Sequence, residues 1–488
     1  MIKRTEGRLS TGGVRIQSWF RTLSGMLTTA LTSLALALPH APQETPTAPA
    51  VQPLCELLDA TAGADASALV ANGLAPGLVI GVVRGDETCI RAFGEVALGS
   101  GEAPDAQTVY EIGSISKVFT GVLLADAEQR GALSIDATVQ SFYPEEFELD
   151  QVGDTPIRLR DLTTHSSGLP RMPSNFAPAN PDNPYVDYSF ELMYDFLDGY
   201  EPKRAPGERY AYSNLGAALL GDAVARAQDS SYETLLRTRI TDLLDMQDTR
   251  IELTDSMRER FAPGYDVDQV PHSSWEFLSM TPAGGIRSNL NDMLVFARAA
   301  LHPPEGPLKK ALPRSMNVIY QSPQNVDMAF GWHIASGGAT FWHNGQTGGY
   351  HSFMAVIPGA DAGVVVLSNT TTGFIDVLGD NLVRVLMGSE ARKIEYPLAI
   401  ELTPEVAAEY VGRYKLGLLA SLTITYENDV LLAQVTAQPK VRIYPSAKDR
   451  CFYRAVPAEL TFERDEDGKI SGLVLLQNGN ETNGRRVE

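Results

Sequence analysis

Short β-type runs at residues 78–84 and 88–93, joined by a Gly85-Asp86 turn, give a hairpin signal near the start of the chain, and β runs return only at 330–335, 352–357 and 363–368. Between them the apolar period is helical, with candidate helices at 115–131, 189–199, 215–227, 231–243 and 289–302, the last capped near Ser288; another follows at 375–387. A sheet drawn from both ends of one chain, with helices inserted between its strands, predicts an α+β fold: an antiparallel sheet flanked by helices. A Pro- and Asn-rich loop at 168–184 is long enough to be a functional wall or lid. Beyond about residue 400 the period changes to two. Runs at 410–415, 422–426, 430–435, 441–444, 451–454, 460–464 and 470–477, separated by Asn-Asp, Pro and Asp-Gly signals, predict a small antiparallel β-barrel or sandwich.

The N-terminus departs from this pattern. Lys3, Arg4, Arg8, Arg15 and Arg21 precede an apolar run from about Met26 to Leu38, which reads as a secretory signal cleaved near Ala37 or Ala41. The run is shorter than the ~20 residues of a bilayer span, so an uncleaved membrane anchor is the rival reading. Residues 39–53, PHAPQETPTAPAVQP, have the composition of an extended spacer. The expected organisation is a signal peptide at 1–41, a linker at 42–55, a catalytic domain at 56–395 and a barrel at 396–488, exported to the periplasm or secreted.

The 60 Asp and Glu residues outnumber 40 Lys and Arg, and the net charge of -20 excludes a general electrostatic drive toward nucleic acid. Cys55, Cys89 and Cys451 lie far apart, with no C-x-x-C pair; free buried thiols are expected ahead of a disulfide. No H-E-x-x-H spacing, Gly-rich phosphate loop or G-x-S-x-G elbow occurs, so no metal site or cofactor motif is read.

Three elements carry chemistry. Ser114-Ile115-Ser116-Lys117 stands where a β/turn stretch gives way to an apolar helical run, and residues three apart on a helix share a face, so Ser114 and Lys117 can touch. A serine hydroxyl becomes a nucleophile beside a base, and a lysine serves as one when burial and a helix N-terminus hold it well below its usual ~10.4. Tyr212-Ser213-Asn214 offers a phenol able to exchange a proton and an amide able to grip a substrate. His343-Asn344-Gly345-Gln346, with Thr347-Gly348-Gly349 behind it, suits a strand whose backbone approaches a ligand. Each element alone has an ordinary reading: a cap, a core aromatic, a turn with a surface histidine. His165, His333 and His351 read as structural, with His165 placed at the mouth of the Pro-rich loop where it can line the site.

In the order S-x-x-K, Y-x-N, H-x-G the three elements closely resemble the penicillin-recognising serine hydrolases, in the branch of class C β-lactamases, D-Ala-D-Ala carboxypeptidases, D-aminopeptidases and esterases. Further matches are residues 162–170 (LTTHSSGLP), Pro206-Gly207, residues 284–288 (GGIRS) with Asp292, and Gly331-Trp332. The resemblance covers about residues 60–390 and implies a β-lactamase/transpeptidase-like fold and cofactor-free acyl transfer. Ser114 is then the acylated nucleophile, with Lys117 and Tyr212 sharing the base and proton-shuttle roles, which of them deprotonates Ser114 being left open. His343 stands where β-lactamases usually carry a lysine, giving a pH-dependent charge. Asn214, Gly345 and Gln346 bind substrate, the N–H groups of Ser114 and Gln346 forming the oxyanion hole. The expected substrates are small: peptidoglycan or other D-amino-acid peptides, esters or β-lactams. A true β-lactamase and a catalytically weak penicillin-binding-type protein are the alternatives, the former disfavoured by His343 and by Met172 where class C enzymes carry glutamine. Residues 401–488 resemble the C-terminal barrel of some relatives, implying assembly, a homo-oligomer contact or a narrowed entrance.

Overall fold

The computed structural model describes residues 52–487 apart from 145–146, 150–151, 324–325, 418–419, 437, 439 and 478–479. The expected signal peptide and most of the expected linker lie outside these residues. Helix α1 (Leu54–Leu58) begins inside the span read as linker, and Cys55 within it is disulfide-bonded to Cys89. The expectation of free thiols is thus corrected for this pair: the fold brings the two Cα atoms to 5.2 Å, a proximity that a separation of 34 residues does not reveal. Cys451 is free and buried, and burial pushes its thiol up to about 12.

The hairpin forms as β1 (Gly77–Arg84) and β2 (Glu87–Gly94). With β3 (Asp327–Met328), β4 (His333–Ala335), β5 (Thr340–Gln346), β6 (His351–Ile357) and β7 (Ala362–Ser368) it builds a seven-stranded sheet in the order β2-β1-β7-β6-β5-β4-β3. All the pairings are antiparallel, and β1 zips onto β7 from Leu78 opposite Ser368 to Arg84 opposite Ala362. The expected strand at 330–335 is shortened because the chain turns at Phe330-Gly331, where Ala329 N–H donates to Trp332 O.

Alternation splits the sheet's side chains between two cores. Val79, Val83, Met354, Val356, Val365 and Leu367 face α2 (Ser116–Gln129) and α4 (Leu290–Leu301), whereas Leu78, Ile80, Val82, Phe353, Ala355, Val364 and Val366 face α1 and α5 (Phe374–Leu386). Both faces are covered, which is why β1 and β7 read as continuous apolar runs. Helix α2 is buried at twelve of its fourteen positions, and α3 (Asn214–Arg226) packs beside it. The cap of α4 is Asn289, which accepts from Asp292 N–H, one residue beyond the position expected. The helix expected at 231–243 is regular only over Tyr232–Leu236 and widens to Thr241.

The C-terminal part is a closed eight-stranded barrel, β8 (Gly412–Leu416), β9 (Ala420–Glu427), β10 (Val430–Val435), β11 (Val441–Ala447), β12 (Arg450–Phe452), β13 (Ala458–Arg464), β14 (Ile470–Gln477) and β15 (Asn480–Arg486). Tyr410, expected to open a strand, ends a helix begun at Pro404. The last strand, NETNGRR, carries no apolar alternation; its pairing with β8 closes the barrel and removes the free edges. The barrel is anchored to the body: Asp268 takes Arg442 at 2.7 Å and Tyr444, Thr372 Oγ1 donates to Arg454 O at 2.6 Å, and Gly373 N–H donates to Ala455 O at 3.0 Å.

Replacing both Cys55 and Cys89 with alanine is expected to lower stability by about 2–4 kcal/mol, the usual effect of opening a loop of this length, seen as a lower midpoint in guanidinium unfolding.

Candidate active site

The strand Val109–Glu111 pairs with Arg287–Asn289 and runs into a single tight turn, Gly113–Ile115, from which α2 departs. Ser114 therefore sits just ahead of the N-terminus of a long buried helix. Gly113 has φ +50°, and a Cβ there would lie 2.7 Å from Gln346 N, so a side chain is excluded on both counts. One helical turn on, Lys117 points back with Nζ 2.9 Å from Ser114 Oγ and 2.5 Å from Ala283 O. It is 3% exposed and makes no ion pair with any described residue. Burial, reinforced by the charge of Arg171, holds its amine well below the ordinary lysine range.

Tyr212 reaches the same point from the other side, its ring centroid 4.9 Å from Lys117 Nζ. Burial drives its phenol well above the ordinary value, against a smaller pull from the Ser114 hydroxyl. The segment is strapped down by His165, which has φ +55°: its carbonyl accepts from Ala211 N–H at 2.7 Å, its Nδ1 from Ser213 N–H at 3.2 Å, and its ring lies 4.3 Å from that of Tyr212. Ser213 caps α3, its Oγ accepting from Gly216 N–H at 2.8 Å. The cap is thus supplied by the neighbour of Asn214, whose amide is free to line the site and contacts Met172 Sδ at 3.6 Å.

The residues read from sequence separate into two groups. Ser114, Asn214 and Gln346 line a slot of about 30 Å³ at the chemistry, whereas larger clefts of 540 and 700 Å³ lie along the barrel. Gly345 does not line the slot: it lets β5 close onto the Ser114 turn, since a Cβ there would fall 2.0 Å from Ile112 O, a carbonyl that also accepts from Ser352 Oγ at 2.8 Å. His343 stands behind Tyr212, ring centroids 6.2 Å apart, with Nδ1 2.5 Å from Asn344 O. It is buried, and burial holds the imidazole well below its ordinary value, so the titrating charge expected at this strand is replaced by a neutral ring. His165 backs the site rather than lining it. His333 bonds Tyr210 Oη at 2.9 Å, burial lowering it to about 4, and His351 bonds Asp376 at 2.9 Å.

The remaining wall is aromatic and comes from two other segments. Tyr185, Trp275, Phe277 and Met280 complete the slot, with Tyr185 stacked on Phe277 at 4.8 Å and 5.2 Å from Trp275. Trp275 N–H donates to buried Glu111 Oε1 at 2.8 Å, and Arg287, 3.6 Å from Glu111, holds Trp275 O. Tyr185 lies just past the Pro-rich loop expected to form a wall, which was the one available signal; residues 271–280 carry no period that marks them. A hydroxyl 2.9 Å from a buried amine held well below the ordinary lysine range, beside a phenol held above its own, has the neighbours a nucleophile needs.

The beta-lactamase family model matches residues 65–386, and a model described as a domain of unknown function, DUF3471, matches 398–486. The D-alanyl-D-alanine-carboxypeptidase/endopeptidase AmpH of Escherichia coli K12 is 27% identical over 318 residues, covering 62% of this chain and 81% of that protein. Penicillin-binding protein 4* of Bacillus subtilis is 25% identical over 441 residues, covering 84% and 95%. A solved beta-lactamase/D-alanine carboxypeptidase from Yersinia pestis shares the fold with a TM-score of 0.60 at 23% identity, covering 68% of this chain and 98% of its own.

Gly345→Ala is expected to push β5 off the Ser114 turn and slow modification of Ser114 by a fluorophosphonate by about 100-fold, measured by intact-protein mass over time.

Proposed function

The chain belongs to the beta-lactamase family of serine hydrolases, and on that premise we propose that it is an exported enzyme forming an acyl-enzyme on Ser114 and cleaving amide or ester bonds of small substrates, D-amino-acid peptides and esters ahead of β-lactams. The observation that carries the reading is the 2.9 Å approach of Lys117 Nζ to Ser114 Oγ in a site where the amine has no carboxylate partner among the described residues.

The opposite displacements of the two proton carriers support a division of labour that sequence leaves open. Lys117, held low, is the neutral base that takes the Ser114 proton; Tyr212, held high, is the protonated partner that returns a proton to the leaving group. Asn214 holds the substrate amide, and the N–H groups of Ser114 and Gln346 receive the oxyanion, each worth roughly 3 kcal/mol in the transition state. The buried neutral His343 favours the peptidase and esterase side of the family, because it offers no fixed cation where a lysine would stand. Export is supported by the basic and apolar N-terminal pattern and by the Cys55–Cys89 disulfide, which suits an oxidising compartment.

Brief exposure to a fluorophosphonate is expected to add one adduct, absent in Ser114→Ala; an adduct that survives the substitution overturns the assignment. Comparing D-Ala release from a muropeptide analogue with nitrocefin hydrolysis separates the peptidase from the β-lactamase.

Lys117→Ala should slow acylation about 100- to 10,000-fold. In the wild type the rate should fall as pH drops through the depressed pKa of Lys117, since the protonated amine cannot accept the serine proton. A plateau extending to low pH contradicts Lys117 as base.

A further inference from the structure

No described barrel residue lines the Ser114 slot, yet the barrel holds the segment that leads into its wall. Gly264–Tyr265 and Pro271–His272 pair as a short hairpin just ahead of Trp275, with Gly264 opposite His272. The hairpin tip is stiff: Asp266 Oδ1 accepts from Asp268 N–H at 2.8 Å and from Val270 N–H at 2.9 Å, and Asp266 N–H donates to Val270 O at 3.0 Å. The barrel grips this tip from β11 and from the turn after β12. Asp268 takes Arg442 Nη1 at 2.7 Å and the hydroxyl of buried Tyr444, and Arg454 Nη1 donates to Val267 O at 3.3 Å. Both guanidinium carbons lie over the Tyr444 ring, at 4.7 and 4.3 Å from its centroid. Burial and the Asp268 carboxylate push the Tyr444 phenol above its ordinary range, so it stays a hydrogen-bond donor.

The foot of the hairpin rests on the chain that leaves β5. Tyr265 N–H donates to Gly349 O at 3.2 Å, and a Cβ on Gly264 would lie 2.9 Å from Gly349 Cα. Gly348 leaves room for the wall itself, since a Cβ there would lie 2.6 Å from Trp275 Nε1 and would overlap the His272 ring. The backbone of Trp275 is pinned by Glu111 and Arg287, but its buried indole N–H has no hydrogen-bond partner among the described residues. The ring is therefore located by packing alone, against His272 of the hairpin at 6.4 Å and Tyr185 at 5.2 Å between centroids. A tip held by a charge-assisted pair thus fixes the hairpin, and the hairpin fixes the ring. We propose that Asp268 is a positioning residue through which the barrel sets the Trp275 ring and, with it, the size of the acyl group that the slot accepts. The specificity effect rests on the acyl-enzyme reading of Ser114 and deepens it: the acyl group stays bonded to Ser114 Oγ, and a slot of about 30 Å³ admits a short one while Trp275 keeps its place.

The test compares p-nitrophenyl acetate with p-nitrophenyl hexanoate, which share a leaving group and differ in acyl length. The wild type is expected to favour the acetate, and Asp268→Ala and the barrel-side Arg442→Gln should each narrow the kcat/KM ratio by about tenfold, chiefly through a lower KM for the hexanoate. A ratio unchanged in both variants, or both esters slowed alike, overturns the proposal and leaves the Asp268 cluster as an anchor of the barrel. A readout free of turnover comes from the full chain labelled with 5-fluorotryptophan, the Trp275 resonance being assigned with Trp275→Phe. In Asp268→Ala and Arg442→Gln the Trp275 fluorine signal should shift or broaden while those of Trp332 and Trp342 stay in place. A Trp275 signal that does not move, or three signals that move together, overturns the proposal. Failure of the acyl-enzyme reading looks different: Ser114→Ala then hydrolyses the acetate at the wild-type rate, while the fluorine shifts remain.

Discussion

One amine withheld from water sets the character of this molecule. An ammonium buried without a counter-ion costs on the order of several kcal/mol, so the setting of Lys117 pulls its pKa well below the ordinary lysine range. Every wall around it respects that condition: a carbonyl from Ala283, the hydroxyl of Ser114, the ring of Tyr212, neutral imidazoles behind, and a guanidinium whose field discourages a second positive charge. A carboxylate placed at any of these positions would favour the ammonium and raise the amine back toward its ordinary range. Burial, reinforced by the charge of Arg171, thus holds this amine well below the range of an ordinary lysine.

The sheet and the helices place those groups with little freedom. Ser114 is held between a two-stranded ribbon before it and α2 after it, and β5 closes from the side through two glycines whose missing side chains admit the opposing backbone. The carbonyl of Ile112 accepts from the hydroxyl of Ser352 on β6, opposite Gly345, so the turn that carries Ser114 is tied to the sheet directly.

Much of this was legible because the relevant signals are local. Three-residue spacing puts Ser114 and Lys117 on one helix face, short apolar runs mark β1, β6 and β7, and alternation marks most of the barrel. What stayed hidden depends on contacts between distant segments. The sequence cannot distinguish Ser213 from Asn214 as the cap, because both are good caps and the choice follows from Pro170 and His165 packing on that turn. Nothing local in residues 271–280 marks Trp275 and Phe277 as a wall; they are placed by Glu111 and Arg287, which belong to other elements. The Cys55–Cys89 bond and the polar closing strand of the barrel are likewise products of tertiary proximity.

The pairing of β1 with β7 carries a consequence for biosynthesis. Ser368 Oγ donates to Gly77 O across 291 residues, and the central sheet has no other partner for that flank of the hairpin. A nascent chain must expose nearly all of the body before its first strand finds its neighbour, so the apolar run at the start stays unsatisfied through most of translation. Such delayed closure favours a polypeptide kept extended by chaperones until it is complete, and it makes any premature stop ahead of Ser368 an aggregation hazard rather than a smaller working domain.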